Sequence, residues 1–194
     1  MSRALARSVT LLVVAALAGC TSTSTPSPTS GPTSTPPESQ AAPSATMTGP
    51  CALTEQTGIP GSNTLIDLTI ETDGVADRLV FQLGAQAPDP TGSTFRLLAG
   101  QPPFVQGGSG QPIEVAGTYF VEFHLDGMLI ADEVGGALYQ GETSLKPDMV
   151  ALRQLEMTEA FQGVYNFVIG YDGDGCVALI DDAVAKTLTI TIGH

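Results

Sequence analysis

Few side chains in this sequence are of the kinds that cut, transfer or ligate. His124 is the one histidine inside the strand-forming part, on the outward register of its run, and His194 stands at the last position. A hydrolytic triad needs a base held beside a nucleophile and an acid to orient it, and no Ser-His-Asp or Cys-His set is suggested. Gly107-Gly108-Ser109-Gly110-Gln111 falls one residue short of the nucleophile-elbow pattern, which wants glycine where Gln111 stands, and no helix pattern follows it. A tight turn is expected there, and no catalytic residue. No pair of His or Cys has zinc-ligand spacing. Asp172-Gly173-Asp174-Gly175, with Asp181-Asp182 beyond, offers hard oxygens to calcium, but lacks the EF-hand spacing and its closing Glu, so it reads as a solvated hairpin turn. Neither a metal nor a cofactor is expected. What remains is binding chemistry. Arg78, beside Asp77, can offer its planar fork to a carboxylate on a peptide stem or a partner protein, although such a pair more often ties a strand to a neighbouring loop. Among rings able to stack on a sugar (Phe104, Tyr119, Tyr139, Tyr165 and Tyr171), Phe104 is expected to be the exposed one, between Pro102-Pro103 and a glycine loop. Asp77, Arg78 and Phe104 are therefore the candidate ligand-binding residues.

The start of the chain speaks to address rather than chemistry. Arg3 and Arg7 precede an apolar run from Val9 to Ala18, the layout of a secretory signal. The run is too short to span a bilayer core, which needs roughly 20 apolar residues. Leu17-Ala18-Gly19-Cys20 resembles a lipobox, in which the cysteine thiol takes a diacylglycerol before the signal is removed. The competing reading is an ordinary cleaved signal with Cys20 incidental. Two acyl chains suffice for stable anchoring where one does not. The expectation is a signal peptide over 1–19, a lipid anchor at Cys20, and a location on the outer face of the cell membrane. Three cysteines are an awkward number in an exported chain unless one is already used. With Cys20 given to lipid, Cys51 and Cys176 remain for a disulfide, which export permits; the alternative is two buried free thiols. Residues 21–50 hold seven prolines and one large apolar side chain, Met47, and have nothing to offset ordering. Residues 20–50 are thus expected to be a disordered Ser/Thr/Pro tether reaching between about 30 and about 90 Å, open to O-glycosylation. Residues 51–194 suit one domain.

The chain's net charge is −13, and without Arg3 and Arg7 five basic residues face twenty acidic ones, a balance of −15. Nucleic acid is disfavoured, because Arg78, Arg96, Lys146, Arg153 and Lys186 form no cluster. Apolar and polar residues alternate through Ile66-Leu68-Ile70 and through Val121-Phe123-Leu125, as in strands with one buried face. Runs rich in β-branched and aromatic residues recur at Arg78 to Leu83, Thr94 to Leu98, Pro112 to Val115, Val164 to Tyr171, Val177 to Ile180 and Thr187 to Ile192. Turn clusters such as Pro88-Asp89-Pro90 and Gly107 to Gly110 separate them. The fold class is all-β, a mostly antiparallel β-sandwich or partly closed barrel. Met149 to Phe161 fits a helix about as well as a strand, through Leu152, Leu155, Met157 and Phe161.

Three strings, in order, carry a likeness to a known family: Asp77-Arg78-Leu79-Val80-Phe81, then Gly108-Ser109-Gly110-Gln111-Pro112-Ile113 with Gly117 beyond, then Phe161-Gln162-Gly163-Val164 with the strand through Gly170. Over most of residues 63–192 the chain resembles the AMIN-like domain of lipoproteins and secreted proteins from high-GC Gram-positive bacteria. The resemblance implies a β-sandwich. By a further step it implies a link to the AMIN domains that accompany cell-wall amidases, with peptidoglycan or an envelope protein as partner. Two departures stand out: no amidase module is expected after His194, and Thr72-Asp73 stands where relatives often have a histidine. The leading expectation is a lipid-anchored, non-catalytic binding or adaptor domain of the envelope. The runner-up is an extracytoplasmic carrier of a small ligand or ion, with a hydrolase third.

Overall fold

The computed structural model describes residues 51, 53–85 and 92–194. The expected signal peptide, Cys20, the tether and the Pro88-Asp89-Pro90 turn lie outside the described residues. Within them the chain is strand after strand, with no α-helix. One sheet has the order β1 (Gln56–Gly58), β4 (Thr94–Ala99), β7 (Tyr119–Asp126), β10 (Val164–Tyr171), β9 (Leu152–Phe161) and β8 (Ser144–Leu145). A second has the order β11 (Val177–Asp182), β12 (Thr187–Gly193), β3 (Ala76–Leu83) and β2 (Leu65–Thr72). A short ribbon, β5 (Phe104–Val105) with β6 (Pro112–Ile113), lies in the connection from β4 to β7. Every strand pairing in these sheets is antiparallel.

Alternation puts one face of each strand inside. Leu79, Phe81 and Leu83 of β3 and Leu188, Ile190 and Ile192 of β12 are buried. Val121, Phe123 and Leu125 of β7 and Tyr165, Phe167 and Ile169 of β10 are buried in the same cluster. The sheets meet through aromatic rings: Phe81 lies 4.7 Å from Phe123 and 5.1 Å, edge on, from Phe167. Rings at such offsets add to the area they bury. The result is the expected antiparallel β-sandwich.

The ambiguous segment is β9, and its pairing explains the ambiguity. Leu152 pairs with Tyr171 and Gln154 with Gly170, leaving Arg153 as an extra residue; Met157 pairs with Phe167 and Glu159 with Asn166, leaving Thr158 as a second. Each β-bulge reverses which parity points inward. The buried positions Leu152, Leu155 and Met157 therefore come at intervals that imitate a helix.

The connection from β4 to β7 folds back over the outside of the six-stranded sheet. Gly117 has φ +142°, and a Cβ there would lie 2.6 Å from the backbone nitrogen of Tyr171. Opposite it, a Cβ on Gly170 would collide with the carbonyl of Ala116. The two glycines let backbone approach backbone, and Gln154 Oε1 then accepts the N–H of Ala116 at 2.8 Å.

Cys51 and Cys176 form the expected disulfide, with Cα atoms 5.1 Å apart across 125 residues. Closing so long a loop stabilises by roughly 4 to 5 kcal/mol in the chain-entropy model. Thermal unfolding with and without reductant is expected to show Tm about 15 °C lower when the bond is open; a reduced chain that melts at the same temperature would refute this. Gly170→Ala is expected to cost about 3 kcal/mol, or about 10 °C in Tm, because the obstacle is backbone and cannot rotate away.

Candidate functional site

The residues singled out by their chemistry occupy different places, and two of the three binding candidates are structural. Asp77 is fully buried at the start of β3. Its Oδ2 accepts the N–H of Ala151 at 2.7 Å and of Leu152 at 2.9 Å, and Nε2 of His194 stands 3.5 Å from Oδ1. Burial pushes the Asp77 carboxyl up. The N–H groups of Leu152 and Ala151, the Thr72 hydroxyl and the charge of His194 outweigh it, and the pKa falls below 3.8. Arg78 turns the other way and pairs with Asp73 at 2.5 Å. Asp73 also accepts the N–H groups of Val75 and Ala76 at 3.1 Å each, so it closes the β2–β3 turn. The hydrogen bond from Arg78, together with that from Val75, lowers its pKa.

Phe104 is not the exposed ring. Only 6% accessible, it packs edge on against Phe120 at 5.2 Å, because the arm that carries it lies down on the sheet and does not project from it. Ser109 sits in the β5–β6 turn with its Oγ accepting the N–H of Gln111 at 3.3 Å. Asp172 has both oxygens engaged: Oδ1 accepts from the N–H and hydroxyl of Thr118 at 2.9 and 2.8 Å, and Oδ2 from Nε of Arg153 at 2.6 Å. The Arg153 and Thr118 hydrogen bonds lower its pKa.

The best-built depression lies elsewhere, on the outer face of the six-stranded sheet. The Thr158 bulge frees that residue's carbonyl from the ladder, and the carbonyl accepts both Nε2 of Gln106, at 2.6 Å, and the N–H of Gly107, at 2.8 Å. Gly107 is thereby pressed onto Glu159, so closely that a Cβ would come within 2.9 Å of its side chain. Two adjoining hollows share Gly107 and Glu159. The larger, about 620 Å³, is lined by Gln106, Thr143, Glu156 and Phe161 among others; the smaller, about 260 Å³, reaches under the arm to Glu122, His124 and Asn166. The polar groups hold one another. Asn166 Nδ2 donates to Glu159 at 2.9 Å, Ser144 Oγ to Glu156 at 2.6 Å, Gln154 Nε2 to Glu156 at 3.2 Å, and His124 Nε2 lies 3.3 Å from Glu122. Register sets Arg96 of β4 and Asn166 of β10 on either side of His124.

Phe161, Glu159, Glu156 and Asn166 were not candidates by sequence. After the Thr158 bulge, the parity that sent Met157 inward sends Glu159 and Phe161 outward. The one local signal was the Gln162-Gly163 pair, a two-residue hairpin turn that presents the preceding residue at a strand tip.

Fold and cleft together define an antiparallel β-sandwich domain with an open surface groove of mixed apolar and polar lining. The chain belongs to the AMIN-like domain family, whose model matches residues 63–178. All three strings quoted above lie within the match, which runs from the approach to β2 to the first residues of β11. No curated protein and no solved structure matches the chain.

Asp77→Ala leaves two buried N–H groups without acceptors and is expected to cost about 3 kcal/mol, read as a fall in Tm of about 10 °C at pH 7. The sign with pH follows from the lowered pKa: the carboxylate stabilises above its unfolded value and loses that contribution as pH falls through the folded one. The Tm gap between wild type and Asp77→Ala is expected to close below about pH 4. A gap that widens on acidification would contradict the assignment.

Proposed function

We propose that this chain is a lipid-anchored binding domain of the cell envelope in a high-GC Gram-positive bacterium, engaging peptidoglycan or a protein that sits with it. In this reading residues 1–19 are removed, Cys20 carries diacylglycerol, residues 20–50 are a tether, and residues 51–194 are the reading head on the extracytoplasmic side. The observation that carries it is an AMIN-like sandwich with a rigidly built groove on its outer sheet face. A binding rather than catalytic role is supported by how the chemistry-bearing groups are used: Asp77 and Asp172 are bound to backbone and arginine, and Ser109 closes a turn. The carrier reading has less support, since the room between the sheets is filled by Phe81, Phe123, Phe167 and Tyr165. The acidic balance argues against nucleic acid.

Two measurements test the proposal. Cell fractionation is expected to place the chain with the membrane and a Cys20→Ala form in the soluble fraction; an equally membrane-bound Cys20→Ala form would remove the anchor. Residues 21–194, secreted so that Cys51–Cys176 forms, are expected to sediment with purified peptidoglycan at low and moderate salt. No retention at either would leave an envelope protein as the partner and remove wall binding.

A further inference from the structure

We infer that the hollow beside Gly107 and Glu159 is a subsite for the pyranose units of a neutral glycan, with Phe161 as its stacking platform. The inference deepens the wall-binding reading above and rests on it for the ligand's source. Of the eleven aromatic side chains, all within described residues, Phe161 alone is exposed, at 63%. A ring of this size left in water forgoes the favourable burial of its apolar surface. It is held where it is, because Gln162 and Gly163 (φ 51° and 85°) make the tight turn with two positive φ values that fits a twisted hairpin.

Beside the ring lie planar acceptors already fixed in orientation. Glu159 is held by Asn166, and Glu156 by Ser144 and Gln154. Oδ1 of Asn166, in the adjoining hollow, is buried with no partner. A pyranose has the matching shape: an apolar C–H face to lie on an aromatic ring, and a rim of hydroxyl donors that paired carboxylate and amide oxygens accept. No lysine or arginine lines either hollow, and the chain carries −13 overall, so anionic polymers are repelled while neutral, donor-rich ones are admitted. The arm is part of the device. Its anchorage on Thr158 walls the groove along one side, so a bound sugar has a floor, a platform and a wall.

The test titrates residues 21–194 directly with an N-acetylglucosamine oligomer, a neutral hexose oligomer and free peptide stems, and repeats peptidoglycan sedimentation with each as competitor. Binding of either oligosaccharide supports the subsite and tells which wall polymer supplies it. Phe161→Ala, at an exposed position where Tm should not move, is expected to weaken that binding about tenfold, and Phe161→Tyr to keep it. If neither oligosaccharide binds, or if Phe161→Ala binds as wild type does, the inference is overturned. Peptidoglycan retention that persists in that case, competed by peptide stems alone, leaves the wall-binding reading intact. Oligosaccharide binding without retention on peptidoglycan supports the subsite and sinks the wall reading.

Discussion

Two sheets packed through apolar side chains are free to slide and turn, because hydrophobic burial is not directional. The directional contact here is the carboxylate of Asp77, the only acidic side chain among the buried described residues. It leaves β3 in the four-stranded sheet and takes two backbone N–H groups at the start of β9 in the six-stranded one. An uncompensated buried carboxylate costs several kcal/mol, so the two sheets have one relation in which the charge is satisfied and many in which it is not. Its lowered pKa, in spite of burial, is the electrostatic expression of that fit. The neighbouring groups reinforce the same end of the sandwich: Arg153 reaches Asp172 and the carbonyls of Met149 and Val150, and the disulfide joins the entry of the folded region to β11.

From that fixed end, β9 does two further jobs through its bulges. The extra residue at Arg153 throws the guanidinium outward, where it serves the network just described. The extra residue at Thr158 offers a carbonyl to the arm and turns Glu159 and Phe161 to the outside. A bulge gives up one ladder position and in return re-aims every side chain beyond it. The open half of the sheet would be an ordinary solvated face without the second bulge; with it, the face acquires a wall, a pair of oriented carboxylates and an exposed ring.

The family strings acquire a mechanical meaning in this setting. Asp77-Arg78 is a double tie, one residue to the opposite sheet and the next to its own turn through Asp73. Gly117 and Gly170 allow the arm and β10 to touch backbone to backbone. Phe161-Gln162-Gly163 is a hairpin tip that keeps its ring in water. The first two positions hold the architecture and the third faces outward.

By itself the sequence determined the class of fold, and it favoured a bond between Cys51 and Cys176 over two free thiols, a choice that the structure makes. Period-two alternation in β2, β3, β7, β10 and β12 is a local property of each strand. The type of turn at Ser109 was legible for the same reason, since it depends on residues near in sequence, whereas the partners of Asp77, Ala151 and Leu152, lie 74 and 75 residues away and only the fold brings them to it. Tertiary structure alone decided which face of β9 its last residues occupy, because a bulge is a mismatch between two strands and has no signature in either one. It alone decided that Phe104 is covered and Phe161 bare, since exposure depends on where a distant arm comes to rest. The groove is made of β9, β10 and residues fifty positions earlier, brought together by a carbonyl that only the misaligned ladder leaves free.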